Sequence, residues 1–349
     1  MLLAPDGRVT SGAPPVRDAP PCAIVSFLAA LPMTFRYVRP TDAPDAGRAL
    51  AEPSAVPLGG GTDLLVTIRE GLASPAALVD LRRLRGQGAI TVGSDGTLTI
   101  GAAARLADIA AHPDVRARFG VLADACDSVG TTQLREMGTL GGNLCQRPRC
   151  WYFRRGVSCF KSGGASCPAV EGENQYLGIL GGGPCHAPHP SDPAVALTAL
   201  EATVIVCSAT HERRVPMSAF YAAHDVTRET ALDPGEYVHA VAIPATSAGP
   251  VQRYEKLMQR GAWDFALVSL AAVRRTDGDV RLVLGGVAPA PWRVTSSIEE
   301  DVASGGLDDE TIAVLAERAL YDAAPLSGNA YKVRQAEALL RRAIAALVR

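Results

Sequence analysis

The sequence predicts an α+β fold, with an α/β first part followed by an antiparallel sheet closed by helices. Three patterns carry this expectation. Short apolar runs alternate with amphipathic stretches over residues 33–88. Strand-like runs of mixed polarity take over at 237–243, 265–274 and 280–287, and amphipathic helical stretches at 309–321 and 331–347 finish the chain. A length of 349 residues allows two or three domains of roughly 100–150 residues each.

In chain order, strands are expected at 35–38, 56–58 and 77–80, with helices at 42–52 and 62–70 between them. Residues 90–92 and 98–101 read as a hairpin closed by Ser94-Asp95-Gly96, followed by helices at about 106–118 and 121–128. Residues 130–192 are irregular, which in a compact domain usually marks function. A helix at 193–200 and a strand at 203–207 precede the final sheet. The expected domains are therefore 33–88, 89–218 with a cysteine-rich insertion at about 145–185, and 219–349. Residues 1–32, rich in proline, are expected to be a poorly ordered extension. The apolar run at 23–31 lacks a basic lead, a twin-arginine pair and the span of about 20 residues that crosses a membrane, so it reads as neither signal nor anchor.

Charge excludes some partners. Lys plus Arg number 34 against 36 Asp plus Glu, giving a net charge of −2, so no broad positive field exists to draw nucleic acid or anionic lipid. The 34 glycines and 25 prolines place much of the chain in loops and tight turns, as suits a protein whose loops grip a ligand.

Two glycine-rich segments stand out. Leu58-Gly59-Gly60-Gly61-Thr62-Asp63-Leu64-Leu65 lies between a strand and a helix, where backbone without Cβ atoms can approach a diphosphate and point N–H groups at it. It matches neither G-x-G-x-x-G nor a P-loop. An ordinary turn with Thr62 or Asp63 capping the helix would produce the same run. The second segment contains Gly130, Thr131 and the run Gly138-Thr139-Leu140-Gly141-Gly142-Asn143-Leu144. Two such loops can clasp a long nucleotide, and a β-branched residue at Gly60 or Gly142 is expected to block it.

Of the 8 cysteines, Cys145, Cys150, Cys159, Cys167 and Cys185 crowd into the irregular stretch. Disulfide staples suit small secreted scaffolds better than a chain of this size. Four thiolates could hold a structural zinc ion or a [4Fe–4S] cluster. Trp151-Tyr152-Phe153 inside this stretch would shield such a group or simply pack. His189, between Pro188 and Pro190, reads as a hydrogen-bonder that orders its loop. Cys22, Cys126 and Cys207 carry no expected chemistry.

In order and spacing, Gly-Gly-Gly-Thr-Asp-Leu-Leu, Gly-Thr-Leu-Gly-Gly-Asn-Leu and His189-Pro190-Ser191-Asp192 resemble the FAD-binding subunits of the xanthine dehydrogenase and aldehyde oxidoreductase family, the molybdenum hydroxylases. Tyr254-Glu255-Lys256, 265–269 and 284–288 are similar to the same family's C-terminal flavoprotein domain. The resemblance spans residue 33 to near the C-terminus. It implies a two-subdomain FAD-binding fold of the PCMH/VAO type followed by a CO dehydrogenase flavoprotein C-terminal-like sheet. It further implies that Leu58, Gly59, Gly60, Gly61, Thr62, Asp63, Leu64 and Leu65, with Thr131, Thr139, Gly141, Gly142 and Asn143, surround the FAD diphosphate and ribityl chain. Asp192 would hydrogen-bond the nucleotide, and Lys256 with a backbone group near Val238 would lie at the flavin end, where a donor stabilises charge on the reduced ring.

The subset of the family carrying the insertion, similar to the periplasmic aldehyde oxidoreductase flavoprotein, implies a [4Fe–4S] cluster on Cys150, Cys159, Cys167 and Cys185, with Cys145 left as a small buried residue. By the same resemblance, this chain passes electrons within a heterotrimer whose partners are a molybdenum-cofactor subunit and a [2Fe–2S] subunit. It delivers those electrons to an external acceptor, in the cytoplasm or periplasm. No residue here is then expected to act catalytically on the substrate. A xanthine dehydrogenase or a hydroxybenzoyl-coenzyme A reductase complex, and a flavin-bearing scaffold with zinc, are the alternatives.

Overall fold

The computed structural model of the chain describes residues 35–221 and 226–349. The extension expected at 1–32 lies outside the described residues. Three sheets organise the rest. The first is parallel, in the order β1 (Arg36–Val38), β3 (Ala77–Asp80), β2 (Ala55–Leu58). All four β3 residues are buried, as the centre of a parallel sheet covered on both faces requires. The preceding helix Ala43–Leu50 starts where the Asp42 carboxylate accepts the Asp45 N–H at 2.8 Å, a side-chain N-cap.

The second sheet runs β4 (Ile90–Val92), β5 (Leu98–Gly101), β8 (Tyr237–Ile243), β6 (Thr203–Cys207), β7 (Glu212–Pro216), with antiparallel neighbours throughout. Here the sequence expectation needs correction. Residues 237–243 were assigned to the C-terminal sheet, yet Val241 pairs with Ile100 on one side and Val204 on the other. Without β8 the strands β5 and β6 would each present an unpaired edge. Its nearly continuous burial suits this central place.

The third sheet, β12 (Trp292–Arg293), β11 (Val280–Gly285), β10 (Val268–Arg274), β9 (Val251–Leu257), is the antiparallel one expected, although β9 and β12 were not anticipated. It packs with the helices Ser296–Ser304, Asp309–Arg318 and Tyr331–Val348 around one apolar core. The helix expected at 106–118 is two helices, Leu106–Ala111 and Pro113–Arg118. Pro113 drives His112 to ψ 128° and cannot donate a helical hydrogen bond.

The helix Asp192–Ala199 has every residue buried. Its Val195 shares a core with residues of the second sheet and with Ala271 and Val283 of the third. Asp192, in its first turn, is thereby fixed where the two sheets meet.

One ion pair makes stability depend on acid. Arg213 on β7 donates to Glu236 from Nε at 2.7 Å and Nη2 at 2.6 Å, and the Asp233 N–H adds a bond at 2.8 Å. These bonds, the arginine's first, hold the Glu236 carboxyl at about 2, below its ordinary 4.5. A folded-state value below the unfolded one means stability present above the unfolded value and lost as pH falls toward the folded one. The pair should thus stabilise the fold at neutral pH, a contribution that disappears between about pH 4.5 and pH 2. Thermal melts across this range should show Glu236→Gln less stable than the native chain at pH 7 and converging with it near pH 2. Parallel curves would refute the linkage.

Candidate functional site

The first glycine segment follows β2. Gly61 has φ +75°, a conformation that favours glycine. Gly60 lacks room for any side chain: a Cβ there would stand 1.8 Å from the Met137 carbonyl oxygen and 3.0 Å from Gly138 Cα. At Gly59 a Cβ would meet Thr139 Oγ1 at 2.5 Å. The glycines therefore serve first to dock the two segments on each other. The N–H groups of Gly59, Gly60, Gly61 and Thr62 make no backbone hydrogen bond among the described residues. They remain available to an anion.

The second segment is not the open loop that its glycines suggested. It forms two short helices, Thr132–Met137 and Leu140–Leu144, capped by Thr131 and Thr139, whose hydroxyls accept from Leu134 N at 3.1 Å and Gly142 N at 3.2 Å. Leu140 N and Gly141 N are spent on Ala104 and Ala102 carbonyls at 2.9 and 2.8 Å, and Asn143 N on Thr139 O at 2.8 Å. What this segment offers a ligand is side chains, Thr139 and Asn143, rather than a cradle of N–H groups.

Asp63 also departs from expectation. It neither caps its helix nor stands alone facing the cleft. Oδ1 takes Arg149 Nη1 at 2.9 Å and Arg154 Nη2 at 2.8 Å, and Oδ2 takes the Arg147 N–H at 2.8 Å. Asp63 thus ties the insertion to the first glycine segment. Of the flanking leucines, Leu58 is core, Leu64 half-buried and Leu65 exposed.

The segment His189–Asp192 closes the site from the other side. Ser191 Oγ donates to Asn143 Oδ1 at 2.6 Å and caps the following helix by accepting Ala194 N at 3.1 Å. Asp192 is buried, and its oxygens accept from Tyr254 Oη at 2.6 Å and Lys256 Nζ at 2.8 Å, while Lys256 also donates to the Ser128 carbonyl at 3.1 Å. Burial pushes the Asp192 carboxyl up, against the pull of Lys256 and Tyr254. His189 Nδ1 accepts the Ser191 N–H at 3.3 Å, and burial lowers its ring to about 3, so it is neutral and orders the loop. Val238, whose neighbouring backbone was expected at the flavin end, is placed by the strand pairing. It lies in β8 opposite Val206, its side chain is in the largest core, and it lines neither cavity described below.

Two adjoining cavities run along this boundary. One is lined by Thr62, Asp63, Thr139, Gly142, Asn143, Asp192 and Lys256, among others. The other, of about 280 Å³, lies among Trp151, Tyr176, Pro188, His189, Arg260 and Ala266. Arg149, Pro190, Asp192, Asp264 and Phe265 border both. Arg149 stacks over the Phe265 ring at 4.8 Å, so one guanidinium joins the insertion, the first glycine segment and the third sheet's approach loop.

Cys150, Cys159, Cys167 and Cys185 line one further small cavity, with Tyr152, Phe153, Lys161 and Leu177. Cys150 and Leu177 also line the 280 Å³ cavity and form the wall between the two. Among the described residues, no three His, Cys, Asp or Glu side chains close on one point as ligands of a single ion. The aromatic run is divided in its contacts. Trp151 packs edge-on to Tyr176 at 5.6 Å beside the larger cavity, and Phe153 is buried at the cysteines. Cys145 stands apart as the C-cap residue of Leu140–Leu144, its thiol pushed up to about 12 by burial. The arginines of the insertion and Lys161 were not singled out from sequence. Arg147, Arg149, Arg154 and Arg155 flanking Cys150 were the available signal.

Residues 33–246 match the FAD binding domain in molybdopterin dehydrogenase, and residues 253–347 match the CO dehydrogenase flavoprotein C-terminal domain. The chain belongs to this family of flavoprotein oxidoreductase subunits. It is 39% identical over 270 residues to the aldehyde oxidoreductase FAD-binding subunit PaoB of Escherichia coli K12, covering 75% of this chain and 84% of that subunit. It is 27% identical over 292 residues to the glyceraldehyde dehydrogenase medium chain of Sulfolobus acidocaldarius, 82% of this chain and 87% of that one. Carbon monoxide dehydrogenase from Hydrogenophaga pseudoflava superposes with a TM-score of 0.70 at 25% identity, over 90% of this chain and 96% of that one. No helix among the described residues is long and apolar enough to cross a membrane.

Proposed function

We propose that this chain is the FAD- and [4Fe–4S]-carrying electron-transfer subunit of a molybdenum hydroxylase that oxidises aldehydes. The observation that carries the cluster is the cavity bordered by Cys150, Cys159, Cys167 and Cys185, which shares Cys150 and Leu177 with the neighbouring cleft. Four cysteines around one cavity match the ligand number of a [4Fe–4S] cluster, and an adjoining flavin cleft gives such a cluster an electron partner. The aldehyde assignment is supported by the 39% identity to an aldehyde oxidoreductase subunit.

In this assignment the N–H groups of Gly59, Gly60, Gly61 and Thr62 face the FAD diphosphate. Thr139 and Asn143 supply side-chain hydrogen bonds, and Leu58, Leu64, Leu65, Thr131, Gly141 and Gly142 shape the two segments. Asp192 and Lys256, already neutralising each other, orient polar groups of the nucleotide without adding net charge. FAD and the cluster supply stepwise electron exchange when bound. The chain's own contribution is to hold them on either side of the Cys150–Leu177 wall and to keep water out with Trp151, Tyr176 and Phe153. Oxidation of the substrate belongs to a molybdenum subunit, with a [2Fe–2S] subunit between the two and an external acceptor taking the electrons from this chain.

Absorbance and EPR spectra of the anaerobically purified complex, with iron, zinc and flavin assays, test this. FAD and a four-iron cluster on this chain, both reduced by aldehydes, are the expected result. Zinc in place of iron would leave only the scaffold reading, and reduction by purines alone would move the substrate to the xanthine class.

A further inference from the structure

Among the described residues, the cavity of the four cysteines has one charged side chain in its lining, Lys161. That side chain is only 8% exposed, and its Nζ stands 2.9 Å from Glu229, itself 11% exposed, and donates to the Val226 carbonyl at 3.0 Å. Glu229 does not line the cavity, and it is shared with Arg147, whose Nε lies 3.0 Å from it. Arg147 in turn stacks over Phe153, another wall of the cavity, at 4.7 Å. Two cations thus answer one carboxylate, and the ammonium is the member placed at the thiolates. Buried charges of this kind are little screened by salt.

We propose that the Lys161–Glu229 pair sets the electrostatic potential at the four-cysteine cavity, Lys161 raising and Glu229 lowering the reduction potential of the group held there. The inference rests on the cluster assignment above. A thiolate-bound iron–sulfur cluster is anionic and gains a further negative charge on reduction, so a fixed cation beside it favours the reduced form and a fixed anion opposes it. If the pair were only a structural clamp, losing either partner would loosen the same pocket and admit water, and both variants would shift in the same direction.

The test is a mediated redox titration of the cluster, followed by EPR, in the complex carrying native chain, Lys161→Met or Glu229→Gln, with iron measured on each. Lys161→Met should titrate at lower potential and Glu229→Gln at higher. Each shift should be on the order of a tenfold change in the reduced-to-oxidised ratio, about 59 mV for one electron. If Lys161→Met loses its iron, Glu229→Gln decides alone, an upward shift supporting the proposal and none overturning it. Iron-replete variants that match the native potential or shift together overturn the electrostatic role and leave the cluster standing. Native protein without iron overturns the cluster assignment and this inference with it.

Discussion

Gly60→Val is expected to purify with most of its flavin missing. The cause lies in the contact between the two glycine segments. At 1.8 Å from the Met137 carbonyl oxygen and 3.0 Å from Gly138 Cα, a Cβ would displace backbone on both sides, and no side-chain rotation can relieve that. Forcing the segments apart moves the N–H groups of Gly59, Gly61 and Thr62 away from Thr139 and Asn143, which are proposed to hold the same cofactor. Loss of a ligand bound only by the folded state also lowers the melting temperature by mass action. Gly142→Val, expected from sequence to act alike, is different in the structure. Its Cβ meets only Thr139 Oγ1, at 3.0 Å, so the segments stay docked and the flavin deficit should be smaller. Flavin-to-protein ratios from the 450 nm absorbance region, with melting curves, check both variants. Full flavin occupancy in Gly60→Val would end the two-segment account of the site.

Serine at Cys150, Cys159, Cys167 or Cys185 should remove most of the iron from the protein, whereas Cys145→Ser should leave it in place. The four share one cavity, and each would supply a ligand that a cluster needs for both binding and folding of its loop. Cys145 is sequence-adjacent to them but is fixed elsewhere. It ends the helix Leu140–Leu144, its N–H is bonded to Gly141 O at 3.0 Å, and it does not line the four-cysteine cavity. Iron and sulfide per chain, measured after anaerobic purification, decide the set. Iron that falls with Cys145→Ser and survives Cys185→Ser would reassign the ligands to Cys145, Cys150, Cys159 and Cys167.

Much of the architecture was legible in the sequence because it depends on local pattern. β3, β5 and β6 match the expected runs, as do the amphipathic C-terminal helices, since alternation and helical period are properties of neighbouring residues. The break at His112 was equally local, written in Pro113 and overlooked. Motif order was enough for the family. Partner choice was not legible. β8 has the same residues whether it joins the second sheet or the third, and only the unpaired edges of β5 and β6 assign it. Glycine content marked both segments as ligand loops, but the hydrogen bonds that spend the N–H groups of 140–143 come from Ala102, Ala104 and Thr139, which composition cannot reveal.

Asp63, a candidate nucleotide ligand by sequence, is taken by Arg147, Arg149 and Arg154 from more than eighty positions away. The sequence by itself determined which elements form and which chemistry the chain can attempt, because those follow from local propensity and residue type. Tertiary structure alone decided which groups remain free to do that chemistry, because a donor or carboxylate committed to a distant partner is indistinguishable, in the sequence, from one left open to a ligand.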